Sequence, residues 1–354
     1  MSYFIFFLIS FILSLIITPL AIRLALKYKI VDNPNNLLKT HTKVTPYLGG
    51  LSIYVSFVIT IVILIWLTEE LLSIKVIGFI ISFTLVFLLG LIDDIKQISP
   101  KAKMLGQIVA AIIFILFVGS TNLFNNVILD CLFTIFWLVG LSNAVNLIDI
   151  MDGLSSGTVV TIGLSLGVIL ILSGNIIAGI FALILAGSSL GFLKYNFNPA
   201  KIFMGDAGSL FLGFVLAGII SITYWDAFDF YSLLVPILIC IVPIGETVFL
   251  IIMRLKAGRS PLLGSKDHFA LRLRKLGLSV RKITIITYLF SISYGILGAI
   301  IIHLINLNQF FSLALLLIGV IVILSVGYFL SKIDMSEENK KLDEKIKQAS
   351  TMQV

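Results

Sequence analysis

Asn143-Ala144-Val145-Asn146-Leu147-Ile148-Asp149-Ile150-Met151-Asp152-Gly153 is a doubly acidic segment set in a chain that is otherwise mostly apolar. An apolar run, 129–141, precedes it, and another begins near Thr158. Near the centre of a bilayer each aspartate would cost about 2.5–3.5 kcal/mol. The segment therefore belongs at a wet surface between two membrane spans. The wider chain agrees: with 59% hydrophobic and 12% charged residues it is neither an ordinary soluble domain nor disordered. A span takes roughly 20 apolar residues, and about eleven candidates are present, or ten if close neighbours merge. They are 3–26, 49–67, 74–92, 104–120, 127–142, 157–173, 175–193, 208–224, 232–253, 283–304 and 310–331. The expected fold is an all-α polytopic membrane protein: one membrane-embedded domain, 1–331, and a charged tail, 332–354.

No basic residue precedes the first span, and Arg23, Lys27 and Lys29 follow it, unlike a signal peptide. The positive-inside rule then puts the N-terminus outside and the C-terminus in the cytoplasm. Alternating the spans places 24 of the 25 Lys and Arg on the inner face, Lys75 excepted. The net charge of +7 is thus topological bias plus one basic loop, not a nucleic-acid signature. Such a face favours anionic headgroups and phosphates. Cys131 and Cys240 lie in separate apolar spans and read as inert thiols.

The informative residues fall on inner segments 27–48, 93–103, 143–156, 194–207 and 254–282. In the first, His41, Lys43, Pro46 and Gly49-Gly50 suit either a plain turn or a backbone brought close to phosphate. The second places Asp93-Asp94 at the C-terminal, negative end of an apolar helix, where carboxylates ask for a cation. A divalent ion, a substrate ammonium, or Lys96, Lys101 and Lys103 would serve. Successive helical residues are about 100° apart, so one aspartate can face a site while its neighbour faces a lysine. In the third, Asn146, Asp149 and Asp152 would share a face if helical and offer oxygens suited to Mg²⁺ or ribose. In the fourth, Gly205-Asp206-Ala207-Gly208-Ser209 opens a span, so Asp206 is either an N-cap or a metal ligand at a phosphate-binding helix start. Phe203 is either core or a stacking surface for a base. The fifth is a basic amphipathic stretch, either lying on the membrane or clamping a diphosphate with His268 and Arg272. Glu246 is the one deeply placed acid, and His303 reads as structural. The tail, Glu337 to Lys347, reads as a solvated helix without chemistry.

Taken together, these loops resemble the polyprenyl-phosphate N-acetylhexosamine-1-phosphate transferase family. The resemblance runs from Asp32 to Gly277. It rests on Thr45-Pro46, Gly49-Gly50, the pair Asp93-Asp94, the Asn143–Gly153 segment and Phe203-Met204-Gly205-Asp206-Ala207-Gly208-Ser209-Leu210. It implies that a polyprenyl phosphate attacks the β-phosphorus of a UDP-sugar and releases UMP, with Mg²⁺ (or Mn²⁺ in its place) as cofactor. It further implies Asp206 and Asp149 as metal ligands, and Asp93, Asp94, Asp149 and Asp152 as catalytic residues, with Asp93 the base on the lipid phosphate. Lys43, Thr45, Lys101, Lys103, Asn146, Asn196, Phe203, His268 and Arg272 become substrate-facing, with Asn196 and Phe203 on uracil. The expected partners are the lipid phosphate, the UDP-sugar and the plasma membrane, with a homodimer left open and no nucleic acid. One departure stands out. The family's last inner loop carries a histidine cluster, of which only His268 remains, with Ala270 and Leu271 at the other positions. That argues against a muramoyl-pentapeptide donor and for a UDP-N-acetylhexosamine, Arg272 replacing lost contacts.

Three rivals predict different features. A secondary transporter needs polar residues at mid-membrane and paired broken helices. A flippase for the same lipid would leave the acidic set idle. A CDP-alcohol phosphotransferase would need Ala-Arg after Asp152-Gly153, where Ser156-Gly157 stands.

Overall fold

The computed structural model describes residues 3–32, 44–68, 73–223, 230–261, 264–305 and 308–351. Among these, nine helices are long and apolar enough to cross a membrane. They are α1 (Phe4–Lys27), α2 (Gly49–Thr68), α3 (Ile74–Lys96), α4 (Pro100–Phe117), α5 (Val127–Leu147), α6 (Leu154–Leu172), α7 (Ile176–Asn196), α12 (Val280–Ile305) and α13 (Gln309–Ser331). Two further apolar segments differ from simple spans. α8 (Gly205–Ser221) is shorter, and the expected span 232–253 is divided into α9 (Phe230–Ile239) and α10 (Ile241–Lys256). Pro243 explains the division: without an N–H it cannot bond the carbonyl of Ile239, and the helix restarts after Cys240. α11 (Phe269–Lys275) and α14 (Ser336–Thr351) complete the helices. The only paired strands among the described residues are β1 (Val31–Asp32) and β2 (Thr45–Pro46), antiparallel with Val31 opposite Pro46. Both cysteines are free.

α8 is apolar on every side and buried along nearly its whole length, which makes it the centre of the bundle. It packs against α2, α3 and α5. Two polar contacts tie it to α5: Ser142 Oγ donates to the Leu210 carbonyl at 2.8 Å, and Trp137 Nε1 to the Ala217 carbonyl at 3.3 Å. Each satisfies a hydroxyl or indole N–H that lipid could not. α6 and α7 form the second inner layer, whereas α13 is mostly exposed and peripheral.

The start of α8 is where the fold brings its loops together. The first inner segment pairs with the fourth: Phe203 N–H donates to the Pro46 carbonyl at 2.8 Å, Gly49 N–H to Phe203 at 2.9 Å and Gly50 N–H to Met204 at 2.8 Å. Here the paired glycines have their reason. A Cβ at Gly50 would lie 2.3 Å from the Gly208 nitrogen and 2.6 Å from its Cα, backbone that cannot turn aside. Gly50→Val should therefore cost about 1–3 kcal/mol as an overpacked contact. A lowered thermal midpoint in detergent, with activity falling alongside, is the expected result.

Candidate active site

Four inner segments converge at one end of the bundle around the N-terminus of α8, and the fifth packs beside the third. Asp93 and Asp94, in the last turn of α3, split their duties as adjacent helical residues must. Asp93 Oδ1 accepts from Ile98 N–H at 2.8 Å, and its Oδ2 lies 2.5 Å from Lys103 Nζ. Asp94 turns to α8 and accepts from Asp206 N–H at 2.7 Å and Ala207 N–H at 3.0 Å. A carboxylate from one helix thus caps the positive end of another. Gly205 makes this approach possible: its φ is +77°, and a Cβ there would lie 2.4 Å from Asp94 Oδ2.

Asp206 stands in the first turn of α8 and is not its cap. Its Oδ2 pairs with Lys103 Nζ, and its Oδ1 accepts from Asn146 Nδ2 at 2.7 Å. Asn146 also donates to Ser209 Oγ at 2.8 Å. Lys103 is therefore an ammonium shared by two carboxylates from different helices, and an amide braces the second of them.

The helical face expected for Asn146, Asp149 and Asp152 does not form, because α5 ends at Leu147 and the chain turns. Asp152 Oδ2 instead accepts from Asn198 Nδ2 at 2.9 Å and Ala200 N–H at 3.0 Å, so it holds the fourth segment in shape. Asp149 is half-buried, and among the described residues its side chain has no hydrogen-bond partner. Burial, then the charges of Asp206 and Asp152, push its carboxyl up to about 8. An uncompensated carboxyl of this kind suits an arriving cation.

Tyr47, to which the sequence assigned no role, stands among these acids. Burial raises its phenol first, then the charges of Asp94, Asp206, Asp149 and Asp93. Its ring meets Phe203 edge-on, with centroids 6.5 Å apart. Only its place just before Gly49-Gly50, the segment that pairs with Phe203, hinted at this position.

Several other expected substrate contacts also hold the protein's own loops together. Asn196 is buried: its Oδ1 accepts from Gly153 N–H at 3.0 Å and Ser156 Oγ at 2.9 Å, and its Nδ2 donates to Ile202 at 3.0 Å. That amide joins two loops. Arg272 is 1% exposed. Its guanidinium binds the Asp267 carboxylate at 2.8 Å and the carbonyls of Asp267, Leu330 and Ile333, so it is no free clamp for a diphosphate. His268 caps α11 with Nδ1 2.8 Å from Glu246 Oε1, which gives the deep acid its partner. α11 packs by Ala270 onto Met151, Leu154 and Ile283, beside the Asp149–Asp152 turn. Thr45 is buried in β2, and Lys101 is exposed at the start of α4. Lys43 and His41 lie outside the described residues.

Residues 76–224, from α3 through α8, match the family model described as glycosyl transferase family 4. The chain is 37% identical over 300 residues to a probable undecaprenyl-phosphate N-acetylglucosaminyl 1-phosphate transferase of Bacillus subtilis, covering 82% of each. A decaprenyl-phosphate N-acetylglucosaminephosphotransferase of Mycolicibacterium smegmatis is 31% identical over 301 residues, 75% of this chain and 74% of that one. A phospho-N-acetylmuramoyl-pentapeptide-transferase of Staphylococcus carnosus is 33% identical over 235 residues, 59% of this chain and 73% of its own. The matched region holds every acid gathered around α8, and the chain belongs to glycosyl transferase family 4, alongside these sugar-phosphate transferases.

Proposed function

We propose that the protein transfers N-acetylglucosamine-1-phosphate from UDP-N-acetylglucosamine to a polyprenyl phosphate, releasing UMP, at the cytoplasmic face of the plasma membrane. One observation carries the reading: Asp93 and Asp206 share Lys103, and Asp94 and Asp149 stand beside Asp206, at one end of a largely apolar helix bundle. Two substrates, one of them a lipid, can meet there. The names of the two N-acetylglucosamine relatives and the lone His268 favour that sugar.

The donor set fits Mg²⁺. Among the described residues no three His, Cys, Asp or Glu side chains form a closed metal cage. Mg²⁺ commonly takes one or two carboxylates and completes its shell with water and substrate phosphates, so Asp149 and Asp206 suffice. When bound there, the ion supplies charge neutralisation on the diphosphate. The protein's own groups do the rest by placement. Lys103 and the Ile98 N–H keep Asp93 charged and fixed. A phosphate monoester loses its second proton near pH 6, so the lipid phosphate arrives largely ionised and needs alignment more than a base. Its oxygen forms the new bond to the β-phosphorus, while the bond from that phosphorus to the bridging oxygen of UMP breaks. Phe203, beside Tyr47, offers a face for uracil.

Membranes given a panel of UDP-sugars and undecaprenyl phosphate should release UMP with UDP-N-acetylglucosamine. They should also accumulate the corresponding diphosphate-linked lipid. Transfer of a lipid-linked sugar across the bilayer without UMP release would overturn the reading.

A pH dependence follows from Asp149. Below about pH 8 the metal-free carboxyl holds a proton that a cation must displace. Apparent Mg²⁺ affinity should rise up to about tenfold per pH unit from 6 to 8 and then level off. Without the ion, Asp149 disfavours the folded state as pH rises through that window, because the unfolded chain ionises it near 4. Mn²⁺ titrations across this range check the slope, and Asp149→Asn should flatten it.

A further inference from the structure

The tail helix expected to be solvated is docked. Met335, Asn339 and Leu342 are buried against the segment that joins α10 to α11. Arg259–Asp343 at 2.5 Å and Lys275–Glu338 at 2.9 Å pair across the contact, but water screens exposed pairs of this kind and they contribute little. Asn339 is different. Its Nδ2 donates to both oxygens of Asp267 at 3.1 Å, and its Oδ1 accepts from Lys266 N–H at 2.8 Å. All three bonds land on the two residues before His268.

Asp267 is 4% exposed and otherwise held by Arg272, which reaches on to the end of α13. From the other side Arg254 donates to Ser265 Oγ at 3.0 Å and to the Pro261 carbonyl at 2.6 Å. The loop is thus a buried polar network fed from α10, α11, α13 and α14. Without Asn339, Asp267 Oδ2 would have no hydrogen-bond partner among the described residues, and a buried carboxylate oxygen without one is costly. His268 is fixed from below by Glu246, and among the described residues its Nε2 has no hydrogen-bond partner. The helix it begins lies on the Asp149–Asp152 turn.

We propose that α14 is a positioning element whose Asn339, through Asp267, sets His268 at the sugar-nucleotide side of the site. The role in donor binding rests on the transferase reading above.

Three variants test it: Asn339→Asp, Asp267→Asn and the two together. The first sets two carboxylates face to face. The pair restores an amide against a carboxylate, with the amide on the loop and acceptors for Arg272 and Lys266 N–H retained. Asn339→Asp should raise the donor KM about tenfold while kcat and the lipid-phosphate KM change less than about twofold, and the double variant should return the donor KM to within about threefold of wild type. A second readout needs no turnover: diethyl pyrocarbonate modification of His268, followed by mass spectrometry. Its rate should rise about fivefold in Asn339→Asp as the loop opens and fall back in the double variant. An unchanged modification rate would overturn the proposal whether or not the donor is correctly identified. A parallel fall of kcat and both substrates' affinities together with thermal stability would also overturn it, as would a double variant no better than the singles. Wild-type membranes that turn over no UDP-sugar would instead sink the reaction, leaving the modification result to judge the tail.

Discussion

Asp206→Asn is expected to lower kcat about 10³-fold, the scale seen when one preorganised electrostatic contact to a transition state is lost. The substitution keeps shape and removes charge. Asparagine can still accept from Asn146 Nδ2, where Asp206 now does at 2.7 Å, so the start of α8 should hold. What goes is half of the carboxylate pair that balances Lys103, and one of the two proposed carboxylate ligands for a divalent ion. Residual activity should then vary little with Mg²⁺, and UDP-sugar KM should change only a few-fold. Steady-state UMP release at several Mg²⁺ concentrations checks this. Near-wild-type turnover would remove Asp206 from the centre of the site.

Asp94→Asn should be almost as damaging, for another reason. Asp94 accepts from two N–H groups at the head of α8. An asparagine can accept at only one oxygen, and its NH₂ would confront the second donor. A hydrogen bond lost costs about 0.5–1.5 kcal/mol and a stranded buried donor about 1–3 kcal/mol, so the loss falls on stability and on the placement of Asp206 together. Activity about 100-fold down with a lower thermal midpoint is the expected pairing. Asp94→Glu should not rescue, since the contact with Gly205 leaves no room for another methylene. A base acting on substrate would behave otherwise: stability kept, and one limb of the pH–rate profile lost.

Much of this was legible in the chain because membranes permit few solutions. Apolar run length marked the spans, and the aspartates at their ends marked the site. The pair Asp93-Asp94 also announced its own division, since neighbours on a helix cannot face the same way. The sequence misled where a local period was extended too far. Asp149 and Asp152 are three apart, but the helix stops at Leu147, and of the two residues that would have shared a face only Asp152 braces the fourth segment. Arg272 and Asn196 show a second limit. An arginine or an amide in a loop looks alike whether it faces ligand or closes a buried network, and only tertiary partners decide. The tail shows the same blindness: its charges suggested solvent, and Asn339, which binds Asp267 and the Lys266 N–H, has no periodic signature.

On the proposed mechanism, loops far apart in sequence surround one divalent-ion centre. Fe²⁺ in place of Mg²⁺, with ascorbate and peroxide, cuts backbone near a bound ion. In membranes containing UDP-N-acetylglucosamine, cuts are expected both at 146–152 and at 204–207, and excess Mg²⁺ should suppress them together. Cleavage confined to one of these segments, or indifferent to Mg²⁺, would contradict the account.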